Sequence, residues 1–162
     1  FLGLGFPLDT SLSAVRLIQS GLFDETPDLK LIMAHVGGAI PYLWGRLATF
    51  SAASSTIHDS PRLRHPIDHY LSKLYVDTVS YRVEALQCCY DVMGGEHLLY
   101  GTDHPFGCSD VAAELVEQLN CRASDRELIY HGNAERLLKL EHLAVAGLRI
   151  PGQSREEGTH YE

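Results

Sequence analysis

Two short stretches carry residue types that can do chemistry. In Ala34-His35-Val36-Gly37-Gly38 a histidine closes an apolar run and two glycines follow almost at once. In Tyr100-Gly101-Thr102-Asp103-His104-Pro105-Phe106 a carboxylate stands where another apolar run ends. Glycines let backbone approach a ligand closely and adopt dihedrals closed to other residues. An imidazole and a carboxylate together suit a water polarised by a metal, with a proton shuttle beside it. The bland alternatives are a buried histidine satisfied by backbone and an aspartate that only caps a turn. The glycines and the pairing of His35 with Asp103 favour the active-site reading. Asp77 stays open between a strand-end hydrogen bond to a loop and a place in the pocket. Arg46 is open between substrate binding and a surface ion pair.

Other candidates weigh less. His65 and His69 have an i, i+4 spacing that zinc sites use on helices, but no catalytic glutamate lies between them. They read better as a solvated helix start. His58, His131, His142 and His160 stand in polar or terminal contexts and are expected at the surface. His104 follows Asp103 and is a weaker pocket candidate. Tyr70, Tyr75 and Tyr81 are expected in the core or at a rim. Neither a Gly-rich phosphate loop nor a serine nucleophile elbow occurs. Cys88, Cys89, Cys108 and Cys121 form no C-x-x-C pair, so reduced thiols in a cytoplasmic protein are expected.

The elements that must position these residues alternate. Phe1 to Asp9 is Gly-rich and reads as irregular. Thr10 or Ser11 starts a helix that Gly21 stops. Leu29–His35 is a seven-residue, turn-bounded apolar run that suits a buried parallel strand. A helix follows with Pro41 in its first turn and Tyr42, Leu43, Leu47 and Phe50 on one face. Residues 51–64 read as loop and 67–74 as a short helix. Leu74–Val79 is a second strand, Arg82–Met93 a helix, His97–Thr102 a third strand and Val111–Leu119 a helix. Ser124 with Glu127 looks like a capping box, and Asn133 is expected to cap a last helix through Leu140. Alternating strands and helices imply a parallel sheet with helices outside, in which strand C-termini line the site. His35, Asp77 and Asp103 all fall at that edge.

Composition bounds the partners. The 162 residues are 45% hydrophobic and 21% charged, with a formal charge of −8. Such a charge argues against nucleic acid and against an anionic membrane surface. No apolar run reaches the length of a membrane span, and no secretory leader is visible.

The chain resembles the amidohydrolase-related family, nearest its aminocarboxymuconate-semialdehyde decarboxylase-like branch. The resemblance rests on Gly5-Phe-Pro-Leu-Asp-Thr10, Arg16-Leu-Ile-x-Ser-Gly21, Ala34-His35-x-Gly37-Gly38, Pro41-Tyr42 and Gly45-Arg46. It continues through Tyr75-Val-Asp-Thr78, Gly101-Thr-Asp103-x-Pro-Phe106 and Asn133-Ala-x-Arg-Leu-Leu138. It covers roughly residues 1 to 140, and its strength lies in the order and spacing of the motifs together.

The resemblance implies an α/β fold, the C-terminal portion of a (β/α)8 barrel. A whole barrel needs eight strands and ~250 residues, so the barrel is expected to be incomplete here. Residues 1–145 would belong to it, and 146–162 would form a disordered tail. Asp103 matches an aspartate that coordinates a divalent metal, usually zinc and in some members manganese. His35 matches the histidine beside that metal, which handles the proton. Arg46 matches an arginine that reaches a substrate carboxylate in a neighbouring subunit, which implies a homodimer. The family's His-x-His pair and a further histidine ligand are not in this chain, so its metal site is incomplete. The expected function is metal-dependent non-oxidative decarboxylation of a small unsaturated or aromatic carboxylic acid. Hydrolysis of a lactone or amide is the alternative, and a non-catalytic remnant or assembly partner a third reading.

Overall fold

A computed structural model of the chain describes residues 2–53, 63–107 and 109–140. Helices α1 (Leu2–Gln19) and α2 (Leu22–Glu25) lead into strand β1 (Leu31–Met33). A 3-10 turn at His35–Gly37 passes the chain to α3 (Ile40–Ala53). Helix α4 (Ile67–Leu71) precedes β2 (Leu74–Asp77), and α5 (Val83–Met93) precedes β3 (Leu98–Leu99). Then come α6 (Ser109–Gln118), α7 (Ala123–Glu127), a π-helical turn at Leu128–Gly132 and α8 (Asn133–Leu138).

The strands form one parallel sheet in the order β1-β2-β3. Leu31, Ile32 and Met33 register with Leu74, Tyr75 and Val76, while Val76 and Asp77 register with Leu98 and Leu99. Alternation along each strand divides the two faces. Met33, Leu74, Val76 and Leu98 are buried in the core with Ile18, Phe23, Ile40, Leu86, Met93, Val116 and Ile129 from the helices. Each such side chain contributes about 1.5–3 kcal/mol on leaving water. Ile32 lies on the other face and is half exposed. The three successive β/α units are those of an incomplete (β/α)8 barrel. None of the described helices is long and apolar enough to cross a membrane.

Several local expectations are corrected. The Gly-rich start is helical: α1 begins at Leu2 and runs through Pro7. Packing fixes Ser11, Ala14 and Ile18 against the body, and extending an established helix is cheap compared with starting one. All three strands are shorter than their apolar runs, because pairing stops where the backbone turns away at the site edge. On α3 the buried side is Ile40 and Trp44, with Leu47 and Ala48 packed beside them, whereas Tyr42 and Phe50 are exposed. The Ser124/Glu127 capping box does not form. Arg122 takes the cap position with extended backbone, and Ser124 Oγ reaches only Asp125 Oδ1, at 3.4 Å. Asn133 caps nothing either: its backbone continues the helix from the π-turn. Its buried Nδ2 instead donates to the carbonyls of Gly95 (2.7 Å) and Leu98 (2.8 Å), tying α8 to β3. The tail from Ala146, and His58, His142 and His160, lie outside the described residues.

Asp125 is a buried structural carboxylate. It accepts from Tyr90 Oη at 2.6 Å and Arg122 Nε at 3.0 Å. The Tyr90 hydroxyl first, and the Arg122 guanidinium second, hold its carboxyl below the usual range. A carboxyl depressed by folding stabilises the fold above its unfolded-state value and loses that contribution as pH falls through the folded value. As pH falls below roughly 5, stability to urea should therefore drop more in the native protein than in Asp125→Asn. Equal weakening in the two would remove Asp125 from the acid sensitivity.

Candidate active site

All three strands point their C-termini to one edge, and the loops there hold the candidates. Four non-glycine residues on these loops have positive φ: His35 (54°), Val36 (49°), Tyr81 (58°) and Asp103 (58°). The fifth such residue among those described, Lys139, ends α8. Each costs on the order of 1 kcal/mol, so strain is concentrated at this edge and something must hold it.

At β1 the holder is Asp77, the last residue of the central strand. Its Oδ2 accepts the His35 N–H at 2.9 Å, and its Oδ1 accepts the N–H groups of Val36 and Val79, both at 3.0 Å. Hydrogen bonds to a charged acceptor contribute about 1.5–3 kcal/mol each, enough to offset the strained turn. The open reading of Asp77 thus resolves as a strand-end hydrogen bond to a loop. The His35 ring is half-buried and makes no hydrogen bond among the described residues.

Gly37 and Gly38 complete the turn, at φ 74° and 64°. A Cβ on Gly38 would meet the Pro7 carbonyl oxygen at 2.1 Å and Ser11 Oγ at 2.5 Å. Ser11 Oγ donates to the Pro7 carbonyl and accepts the Ala39 N–H, at 2.7 and 2.8 Å. Helix α1 is therefore locked onto the turn at a position where only glycine fits. Gly38→Ala should destabilise the protein by at least about 3 kcal/mol, from backbone strain plus the clash. The urea midpoint checks this, and a value within about 0.5 kcal/mol of the parent would refute the packing argument.

At β3, Asp103 is half-buried and its Oδ2 accepts the Tyr81 hydroxyl at 2.8 Å. That bond is the first cause of a raised Tyr81 pKa, so the phenol stays neutral and donating. Thr78, fully buried, exchanges hydrogen bonds of 3.1 Å with the Gly101 carbonyl and N–H, holding the end of β2 to the end of β3 past the ladder. An open cavity of about 270 Å³ lies beside Asp103, lined by Thr78, Tyr81, Thr102, Phe106, Val111 and Leu115 among others. Neither His35 nor Asp103 lines it; Tyr81 joins the cavity wall to the Asp103 carboxylate, and the Gly107 N–H joins it to the Asp103 carbonyl at 2.7 Å.

The structure brings His35 and Asp77 together, and Asp103 and Tyr81 together. His35 and Asp103 share the edge without touching: β2 stands between their strands, which puts those strands roughly 10 Å apart. Arg46 is exposed on α3. Its guanidinium lies 4.6 Å over the Phe50 ring and makes no ion pair among the described residues. His104 is exposed. His65 and His69 stack at 4.2 Å on the surface. Tyr81 as partner of Asp103 was not readable in advance: the two are 22 residues apart, and only the fold joins them.

No group of three or more His, Cys, Asp or Glu side chains among the described residues converges to hold a metal. Asp103 fits one position of such a site, since its Oδ1 is without a hydrogen-bond donor among the described residues. A divalent cation asks for four to six donors, so the remaining ligands must come from elsewhere than these residues.

Comparison with known proteins agrees with this fold. The amidohydrolase family matches residues 2–140. The chain is 35% identical over 136 residues to a gamma-resorcylate decarboxylase of Polaromonas sp., covering 83% of this chain and 42% of that protein. It is 32% identical over 143 residues to a 2-amino-3-carboxymuconate-6-semialdehyde decarboxylase of Dictyostelium discoideum, covering 85% and 39%. A crystal structure of a dihydroxybenzoic acid decarboxylase from Polaromonas sp. JS666, with bound manganese and the inhibitor 2-nitroresorcinol, superposes with a TM-score of 0.75 at 34% identity, covering 84% and 41%. The chain thus spans well under half the length of the relatives it matches. With the family match running from α1 to the end of α8, and the β/α units in agreement with the solved relatives, the chain belongs to the amidohydrolase family.

Proposed function

We propose that the protein is a metal-dependent, non-oxidative decarboxylase of a small aromatic or unsaturated carboxylic acid. The observation that carries this reading is the presentation of His35 and Asp103 from left-handed turns at one C-terminal sheet edge. The relatives named above are decarboxylases, which favours carbon–carbon cleavage over lactone or amide hydrolysis at the same edge. Asp103 would supply one ligand to a divalent cation. Manganese is the metal in the Polaromonas structure; zinc is the other candidate, and elemental analysis separates them. When bound, such a cation draws electron density through substrate oxygens and stabilises charge developing at the reacting carbon.

The protein's own groups do the rest. His35 delivers a proton to the carbon that carries the carboxylate; the carbon–carbon bond breaks, carbon dioxide leaves and hydrogen takes its place. Tyr81 holds one Asp103 oxygen and so fixes the rotation of the carboxylate. Arg46, exposed beside Tyr42 and Phe50, would reach a carboxylate in a second copy rather than in its own. A cytoplasmic setting suits the free thiols of Cys88, Cys89 and Cys121.

The test is product analysis. Protein loaded with manganese or zinc is offered hydroxybenzoic and muconate-type acids, and carbon dioxide is followed alongside lactone and amide opening. Carbon dioxide release supports the proposal. Hydrolysis without any carbon dioxide from these acids would overturn it.

A further inference from the structure

We propose that Asp77 is a positioning residue for the His35 imidazole, an inference that rests on the reading of His35 as the proton donor. The observation is the convergence of three backbone N–H groups on one carboxylate at the end of the central strand. Two of them belong to consecutive left-handed residues, His35 and Val36. Successive N–H groups in such a turn form a concave nest for an anion, and here the anion is the protein's own. No cation pairs with Asp77 among the described residues. Its charge faces the turn that carries His35, and that turn is the carboxylate's main partner.

The turn has few other holds at this point. The His35 ring makes no hydrogen bond among the described residues, and beyond the nest the turn is closed by its own bonds from the Gly37 N–H to the Ala34 carbonyl (3.2 Å) and from the Gly38 N–H to the His35 carbonyl (2.8 Å), and tied by Cys89 Sγ to the Val36 carbonyl at 3.7 Å and by the Ser11 contact at Ala39. Turning both N–H groups toward β2 fixes the Cα–Cβ direction of His35, because backbone dihedrals determine where Cβ points. Asp77 thus acts on the reaction through His35, without touching substrate. The residue type matters too. Three donors need two acceptor oxygens. In Asp77→Asn the single oxygen is best placed at the Oδ1 position, where it keeps Val36 and Val79. The amide NH2 then opposes the His35 N–H, so the substitution selectively frees residue 35.

The experiment uses the metal-loaded protein. In Asp77→Asn, kcat should fall by about 10- to 100-fold while KM and metal content stay within about twofold, as for other groups that orient a reacting side chain. The same substitution made in a His35→Asn background should cost less than about twofold, because nothing remains to position. The His35 ring nitrogen signals in NMR should move in Asp77→Asn. An equal loss in both backgrounds, or unmoved ring signals, would overturn the proposal. Should Asp77→Asn fail to fold, the unsubstituted protein still decides: its His35 and Val36 amides must exchange far more slowly than in a free peptide, and unprotected amides sink the clamp. If His35→Asn keeps full turnover, the proton-donor reading is what fails, while amide protection and ring signals still judge whether Asp77 holds the turn.

Discussion

Asp103→Ala should remove bound metal and turnover together, with kcat/KM falling by at least ~10³-fold, while the protein stays folded. The size of the loss follows from what the side chain offers. It is the half-buried carboxylate at the β3 end of the site edge, and one of its oxygens has no donor among the described residues. Removing a charged ligand from a site of four to six donors loses both Coulombic attraction and geometry. The structural cost is small by comparison. The Tyr81 phenol loses its acceptor, but it is exposed and water replaces the bond, at a net cost of about 1 kcal/mol. Alanine in a left-handed turn, at φ 58°, adds about another 1 kcal/mol, so thermal unfolding without metal should fall only modestly, whereas the increment that metal gives the parent should vanish. Asp103→Asn keeps one oxygen and should fall between the two. Stoichiometric metal retained in Asp103→Ala would show that the carboxylate serves Tyr81 and the turn, and is no ligand.

What the sequence made legible follows the physics of burial. Strand order, parallel direction and helix placement could be read because Met33, Leu74, Val76 and Leu98 must leave water, and alternating β/α units have few ways to bury them. Strand ends could not be read, because apolar runs mark burial and not pairing: Leu99 is the last paired residue of a run expected to reach Thr102. The caps failed for a related reason. Ser124 and Asn133 have the right residue types, but Asn133 reaches across the fold to Gly95 and Leu98, and a local pattern carries no sign of that contact.

The site divides in the same way. His35 and Asp103 stood out because special chemistry sat beside residues with special backbone freedom, and both take left-handed dihedrals. The groups that hold them, Asp77 and Tyr81, are 42 and 22 residues away in the chain. Nothing in their own neighbourhoods marks those contacts. Helix α3 shows the limit of periodicity: the spacing puts Tyr42 and Phe50 on one face with Leu43 and Leu47, yet 42, 46 and 50 are exposed while Leu47 packs against the core. The i, i+4 spacing that binds two positions to one face does not say which side of the helix that face is on.

His35→Asn should separate catalysis from structure more cleanly than any other single change at the edge. Residue 35 has φ 54°, a region where asparagine is among the few non-glycine residues found with ease. The backbone N–H that Asp77 accepts is untouched by the substitution. The lost ring is half-buried and gives up no hydrogen bond among the described residues. Stability should accordingly stay within about 1 kcal/mol of the parent. The asparagine side chain has no titrating group near neutrality, so it cannot deliver the proton that must replace the departing carboxylate. Loss of a positioned acid or base lowers rates by about 10²- to 10⁴-fold, and that is the range expected for kcat here. Metal content should stay near that of the parent, in contrast to Asp103→Ala, because the role proposed for the ring is toward substrate and not toward the metal. His35→Ala should lose turnover to the same extent but cost more stability, since alanine is less at ease in a left-handed turn. If His35→Asn instead loses metal in step with activity, the imidazole is a ligand; if it turns over like the parent, the proton comes from elsewhere at this edge.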